Sequence, residues 1–366
     1  MPLPYPLSRQ VKIERYAPPP DSRILAVSDV HGSLDYLTGL LDRVRFSPAD
    51  TLFIVGDLLQ KGPRSLDTLR YVMELSQTRR VKFLCGNCDW VVPLLECGKP
   101  ENSLWYLLRF PNGLLGQMFG ELGIPVGPEM DFPAAVRAAR AAFEPEFAFL
   151  AAAPELIETE HLIFVHGGLP EGPRDQWQAW ACMKNDAYLD HAVRHDKWQI
   201  VGHWPVMLYH RNLVNANPIV DRERRVISID GGCALKDDGQ LNALILPNEA
   251  GEDFTWESWD PFPTARVLTA QPASEQSYYI RWGDNQVEVL ERGEEFSRVR
   301  HARTGYELEV LTKYLYPDGT VNDCTDYRLP LTPGDEVKIV ETTSRGYFVK
   351  HKGVSGWYFG ELGVLS

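Results

Sequence analysis

The stretch RILAVSDVHGSLDYLTGLLDRV, residues 23–44, decides how the first part of the chain folds. Arg23 to Ser28 is a short apolar run that reads as a buried strand, and it stops at Asp29-Val30-His31-Gly32. Leu34, Leu37, Leu40, Leu41 and Val44 then recur at three- and four-residue spacing, as one buried face of a helix requires. The same unit repeats in outline. Thr51 to Val55 is an apolar strand ended by Gly56-Asp57, Ser65 to Leu75 reads as a helix, and Val81 to Leu84 runs into Gly86-Asn87-Cys88-Asp89. Strand patterns return at His161 to Val165 before His166-Gly167-Gly168, and at Gln199 to Val201 before Gly202-His203-Trp204-Pro205. A last one, Val226 to Ile229, precedes Asp230-Gly231-Gly232. Buried strands that stop at metal-binding residues place a site along the carboxyl edge of a sheet.

Outward from this frame, residues 98–160 read as a mostly helical cap or packing insert, alanine-rich from Phe132 to Ala153, with no cluster of catalytic groups. From Trp256 to about Ser277 prolines and small polar residues suggest a linker. Beyond it the helical pattern gives way to an internal repeat. Val287-Glu288-Val289-Leu290-Glu291 aligns with Val337-Lys338-Ile339-Val340-Glu341, and in the same register Val299-Arg300-His301 aligns with Val349-Lys350-His351. After one inserted residue Gly305-Tyr306 meets Gly356-Trp357. Alternating strands separated by turns indicate two small β-barrel units.

Composition sets outer bounds. A chain of 366 residues carries a prior of two or three domains, and 44% hydrophobic with 24% charged residues is ordinary for a globular protein. The net charge of −13 gives no general affinity for nucleic acid or an anionic membrane surface, so a phosphate-bearing substrate needs local cations. The longest run without Asp, Glu, Lys or Arg, Trp198 to His210, has 13 residues, short of the roughly 20 of a membrane span. The first twenty residues, broken by prolines, lack the apolar centre of a secretory signal, and six scattered cysteines do not make a disulfide framework. A cytoplasmic protein with reduced thiols is expected.

The chemistry lies in Asp29, His31, Asp57, Asn87, His166 and His203. Carboxylate, imidazole and amide oxygen donors suit manganese, iron or zinc, and a central carboxylate can bridge two ions for an in-line phosphoryl displacement. The series Asp29-Val30-His31-Gly32, Gly56-Asp57, Gly86-Asn87-Cys88-Asp89, His166-Gly167-Gly168 and Gly202-His203 resembles the calcineurin-like metallophosphoesterase superfamily. His166-Gly167-Gly168-Leu169 resembles its phosphoprotein phosphatase branch, and residues 56–67, GDLLQKGPRSLD, are similar to the symmetrical diadenosine tetraphosphatases, with Ile229-Asp230-Gly231-Gly232-Cys233 also fitting. The tail resembles tandem bacterial SH3-like domains. The resemblance implies an α/β fold: a four-layer metallophosphoesterase β-sandwich flanked by helices, then two SH3-like barrels. The expected boundaries are a leader 1–21, catalytic domain 22–255, linker 256–276, and barrels 277–316 and 317–366. It also implies that Asp29 and His31 hold one metal, that Asp57 bridges, and that Asn87, His166 and His203 hold the other.

Three departures bear on the substrate. Gln60-Lys61-Gly62 stands where the branch has Asp-Arg-Gly, so Lys61 keeps a charge but loses arginine's two-pronged grip. Arg64 either shares that role or is a solvated surface residue. Cys85 replaces an arginine, and Cys88 occupies the position of the general-acid histidine. A thiol, with a reference pKa of about 8.5, is a poor proton donor to an alkoxide, whereas a nucleotide phosphate or aryl oxide leaves as an anion. Asp89 is read as orienting its neighbours or capping a helix. Cys85-Gly86-Asn87-Cys88 also fits C-x-x-C, but a second ligand pair for zinc is missing. His191 and His195 can share a helical face or lie on a solvated surface. Trp177, Trp180, Trp198 and Trp204 can stack on a base or pack a core.

The expected activity is therefore hydrolysis of a phosphoanhydride or activated phosphoester, dinucleoside polyphosphate-like, by a metal-bridging hydroxide. Lys61, Arg64, Cys88 and Asp89 are the catalytic candidates. Two divalent ions are the cofactors, manganese first and iron or zinc as alternatives. A serine/threonine protein phosphatase, acting on a phosphoprotein, and a catalytically decayed scaffold using the SH3-like domains are the alternatives. No nucleic-acid duplex or membrane partner is expected. The tail is expected to take a peptide ligand or self-associate.

Overall fold

The computed structural model describes residues 9–96 and 100–364. Residues 1–8 of the expected leader, and Cys97, lie outside the described residues. The chain divides into two compact units: Met1–Pro205 with Pro218–Leu235 and Gly239–Asp260, and Val206–Asn217 with Lys236–Asp238 and Pro261–Ser366.

The first unit is α/β. One sheet has the strand order Thr255–Trp259, Leu241–Leu246, Ile24–Val27, Thr51–Val55, Arg80–Leu84, and its last three strands are parallel. The other runs Ile13–Arg15, Leu156–Glu158, Leu162–Val165, Trp198–Val201, Val226–Ser228, Ile219–Asp221, and again three strands, Leu162–Val165, Trp198–Val201 and Val226–Ser228, are parallel. Side chains alternate across a strand, and where both faces are covered, as in Ile24–Val27 and Leu162–Val165, the strand is apolar throughout instead of alternating with polar residues. Ile24, Ala26, Phe53 and Val55 meet Ile157, Leu162, Phe164 and Ile200 of the facing sheet, with Phe53 and Phe164 stacked at 3.8 Å. Leu25, Val27, Leu52 and Ile54 point the other way, into a core shared with the helices. Leu34–Arg43 contributes Leu37, Leu40 and Leu41 to it, and Ser65–Thr78 contributes Leu66, Leu69 and Val72. The insert is helical as expected: Pro100–Arg109, Leu114–Glu121, Phe132–Ala142 and Glu144–Ala152. Asp131 caps the third of these by accepting from the Ala134 N–H at 2.9 Å.

The described part of the leader and the linker both contribute strands. Ile13–Arg15 is an edge strand paired parallel with Leu156–Glu158. Within the expected linker, Thr255–Trp259 pairs with Leu241–Leu246, and Thr264–Val267 pairs with both Glu336–Thr343 and Leu362–Val364. The prolines lie outside these ladders, where no N–H is needed. Ala265 and Val267 are buried while Thr264 and Arg266 face outward, a period of two too brief to stand out in the sequence.

The second unit is all β, with the internal repeat visible in its strands. Val287–Glu291 pairs with Phe296–His301, and Glu336–Thr343 with Gly346–His351, each with a register shift at the aligned position, Val289/Glu291 and Ile339/Glu341. Val299 and Val349, also aligned, are both fully buried. The repeats are nested, not consecutive as expected. Thr264–Val267 belongs to the sheet of the second repeat, so the first repeat is inserted between strands of the second. Among the described residues no helix is long and apolar enough to cross a membrane.

Candidate metal centre

Each sheet of the first unit sends its three parallel strands to the same edge. Asp29, Asp57 and Asn87 follow Ile24–Val27, Thr51–Val55 and Arg80–Leu84; His166, His203 and Asp230 follow Leu162–Val165, Trp198–Val201 and Val226–Ser228. The turns that deliver them are tight. Asp29, His31, Asp57, Gln60, Lys61 and His203 all have positive φ, between 50° and 70°, a left-handed conformation that costs a non-glycine residue about 1–3 kcal/mol. Such residues persist only where the surroundings over-determine them. Glycine does part of that work: a Cβ at Gly86 would collide with the Asp57 carboxylate, and one at Gly202 with Asp29.

Asp57 is central. Its Oδ1 accepts the Cys88 N–H at 2.8 Å and lies 3.3 Å from His166 Nε2, while Oδ2 lies 3.7 Å from His31 Nε2. Asp29 Oδ1 is 3.8 Å from the same His31 nitrogen. Two groups of donors share Asp57: His31, Asp57 and Cys88, and Asp57, His166 and His203, with donor atoms in each group within 4.8 Å of one another. The Nδ1 atoms of His31 and His166 face the Leu59 and Val55 carbonyls at 3.2 and 2.9 Å. A carbonyl only accepts, so Nδ1 carries hydrogen and Nε2 is the nitrogen that can ligate.

The chemistry of this donor set fits cations. Asp29 Oδ1, His31 Nε2, Asn87 Oδ1 and His166 Nε2 are buried without a hydrogen-bond partner, a costly arrangement unless something else satisfies them. Electrostatics point the same way. Burial pushes Asp29 up to about 6 and His31 down to about 4. Burial also acts to lower His166, but Asp57 and Asp29 prevail and raise it to about 10. Burial works to raise Asp57, yet His166 beside it holds that carboxylate well below the usual range. Positive charge is stabilised between Asp57 and His166.

Of the other expected residues, Lys61 is exposed as a whole; desolvation acts to lower its pKa, but Cys88, Asp57, Asp29 and Asp230 together raise it. Cys88 is buried, and burial followed by the Asp57 charge pushes its thiol well up. Asp89 is a clamp: its carboxylate accepts from the N–H groups of Gly86 (2.9 Å), Leu59 (3.0 Å) and Leu58 (3.3 Å), joining the Asp57 loop to the Asn87 loop. Arg64 is not aimed at the centre. Its guanidinium is at the surface, bonded to Asp35 at 2.9 Å and Asp67 at 3.0 Å. Gln60 turns its amide oxygen to the Leu114 N–H at 3.2 Å, tying this loop to the insert. Neither His191, which meets Asn185 at 2.8 Å, nor His195, which accepts from the Lys197 N–H, joins either donor group. Trp177 and Trp198 are buried with their indole N–H groups bonded to Gly172 O and Glu252, so they are core residues.

Sequence reasoning missed Lys184 and Asp186. Asp186 Oδ1 lies 2.7 Å from His203 Nε2, leaving Nδ1 to present a lone pair, and Lys184 pairs with Asp186 and stands 3.3 Å from the same nitrogen. The His203 contact holds Asp186 well below the usual carboxylate range. Only a flanking carboxylate of this kind, common beside metal-binding histidines, would have been a signal. Asp230, quoted in a motif but given no role, is fully buried with Oδ2 unpartnered.

Carboxylates and imidazoles at the strand ends of two facing sheets, sharing one aspartate between two donor groups, define a metal-dependent phosphoesterase with a binuclear site. Residues 22–225, 204 of the 366, match the calcineurin-like phosphoesterase family, and the chain belongs to it. Among curated relatives, the symmetrical bis(5'-nucleosyl)-tetraphosphatase of Escherichia coli O139:H28 is 42% identical over 91 residues, 24% of this chain and 32% of that protein. The chain thus matches about a third of the length of that relative. A protein serine/threonine phosphatase from Saccharomyces cerevisiae is similar in structure at 11% identity and a TM-score of 0.40, over 69% of this chain and 85% of that one. A metallophosphoesterase from Sphaerobacter thermophilus is similar at 14% identity and a TM-score of 0.37, over 65% and 88%.

Proposed function

We propose that the protein hydrolyses a phosphoanhydride or activated phosphoester of the dinucleoside polyphosphate kind. The carrying observation is the set of buried donor atoms without hydrogen-bond partners around Asp57. In this reading Asp29 and His31 hold one divalent ion, Asn87, His166 and His203 the other, and Asp57 both, with manganese the first choice. Bound ions of this kind neutralise phosphoryl charge and activate water. The chain's own residues do the rest. Lys61, whose charge Cys88, Asp57, Asp29 and Asp230 favour, is the cation for the phosphoryl oxygens, Asp186 fixes the ring of His203, and Asp89 holds the two ligand loops together.

Substrate choice follows from Cys88. Buried Cys88 offers no ready proton to a leaving group, so one that departs as an anion is favoured over a serine or threonine alkoxide. The 42% identity to tetraphosphatases supports the same choice. Retention of all six expected ligands speaks against a decayed scaffold. We read the first unit as the four-layer sandwich of the family, acting in the cytoplasm. The second unit is read as an SH3-like pair whose groove of about 810 Å³, walled by Phe296, Trp357 and Phe359, takes a peptide.

The test is manganese-dependent hydrolysis of diadenosine tetraphosphate, an aryl phosphodiester and a phosphothreonine peptide side by side, with Asp57→Asn as control. Turnover of the first two ahead of the peptide, lost in the control, is expected. Faster turnover of the peptide would overturn the leaving-group argument, and no turnover with no metal bound would return the scaffold.

A further inference from the structure

The two donor groups of the centre are chemically unlike, and the difference is Cys88. One group, Asp57, His166 and His203, offers only oxygen and nitrogen; the other, His31, Asp57 and Cys88, includes sulfur, with its donor atoms within 4.8 Å of one another. All three side chains of the second group are buried, and His31 Nε2 has no hydrogen-bond partner. The thiol is held in place by its own backbone, whose N–H is bonded to Asp57 Oδ1, and it lies 3.3 Å from Asn87 Nδ2. Its neighbour Cys85 faces elsewhere, with its Sγ 3.4 Å from the Gly86 carbonyl.

We infer that Cys88 Sγ is a direct ligand of the ion held by Asp29, His31 and Asp57, so that this position selects a thiophilic ion while its partner accepts a harder one. The inference rests on the binuclear reading above and adds the division of labour between the two positions. Thiolate favours zinc or ferrous iron, whereas carboxylate, amide and water also suit manganese and magnesium. As the sulfur–metal bond forms, the thiol proton passes to solvent, the usual accompaniment of thiolate coordination. The protein then binds a mixed pair of ions most tightly, and manganese, although it fills both positions, is held less tightly than zinc at the first.

Cobalt(II) separates the two claims. Metal-free protein titrated with cobalt is expected to develop visible d–d absorption, from histidine and carboxylate ligands, together with a near-ultraviolet sulfur-to-cobalt charge-transfer band. In Cys88→Ser the d–d absorption should remain and the charge-transfer band disappear, while Cys85→Ser keeps both. Zinc should also lose at least about tenfold of its advantage over manganese in competition with the serine variant, since losing even a group that only hydrogen-bonds a ligand costs about that much. Cobalt that binds with d–d absorption but no charge-transfer band in the unaltered protein overturns the inference and leaves the binuclear reading standing. Cobalt that does not bind overturns both. X-ray absorption of the unaltered protein, showing or lacking a cobalt–sulfur shell, decides the matter without any variant.

Discussion

Asp89→Ala tests whether the centre depends on a clamp that takes no part in the chemistry. The carboxylate is almost fully buried and accepts three backbone N–H groups, from Gly86, Leu59 and Leu58 at 2.9, 3.0 and 3.3 Å. These amides follow Asp57 on one loop and precede Asn87 on the other. Removing the acceptor orphans all three donors at about 1–3 kcal/mol each. The donors are adjacent, and water can enter the space left, so their costs do not add fully; about 3–5 kcal/mol overall is expected. Hydrogen exchange followed by mass spectrometry reads this locally: the amides of Leu58, Leu59 and Gly86 should lose protection while those of Phe53 and Phe164 keep it. Bound metal, measured by elemental analysis, should fall in step, because the loops carrying Asp57 and Asn87 are no longer tied. Unchanged protection at the three amides would refute the clamp. Normal protection with abolished turnover would instead make Asp89 a participant in the reaction.

Gly86→Ala should cost about 1–3 kcal/mol and most of the bound metal, since the new methyl group meets the Asp57 carboxylate. Gly120→Ala, in helix Leu114–Glu121 with nothing within 4 Å, should instead gain up to about 1 kcal/mol; thermal melts and metal content of the two variants check both. At Glu158 burial acts upward, but Arg174 and Lys197 hold the carboxylate down at about 2. Because the folded value lies below the unfolded one, the stability it contributes is present at neutral pH and lost as pH falls from about 5 towards 2. Glu158→Gln should flatten melting temperature against pH in that window, and an unaltered acid limb would show that the pair contributes nothing.

Much of the centre was legible because it is built locally. A buried strand, then one or two polar residues, is a pattern of ten residues or fewer, and it pointed to His31, Asp57, His166 and His203, which the two donor groups contain. The repeat was legible in the aligned residues, and the structure adds register shifts at matching positions, Val289/Glu291 and Ile339/Glu341. What escaped depends on distant partners. Arg64 could be read from sequence as a phosphate contact or as a surface residue, and only its partner Asp35, twenty-nine positions earlier, decides for the surface. Asp186 matters only because the turn after Trp198–Val201 brings His203 against it. Thr264–Val267 carries only two inward residues between prolines, a signal too short to distinguish a strand from a tether.

The nesting in the second unit constrains the order in which that unit can be assembled on the ribosome. Thr264–Val267 is synthesised first, but both of its neighbours, Glu336–Thr343 and Leu362–Val364, come only after the whole inserted repeat. The inserted repeat has a hairpin meander, Val287–Glu291, Phe296–His301 and Glu307–Leu311, that can close as soon as it emerges. Until the later strands arrive, Thr264–Val267 has neither edge paired. A chain cut between the two repeats would leave that strand permanently without its sheet.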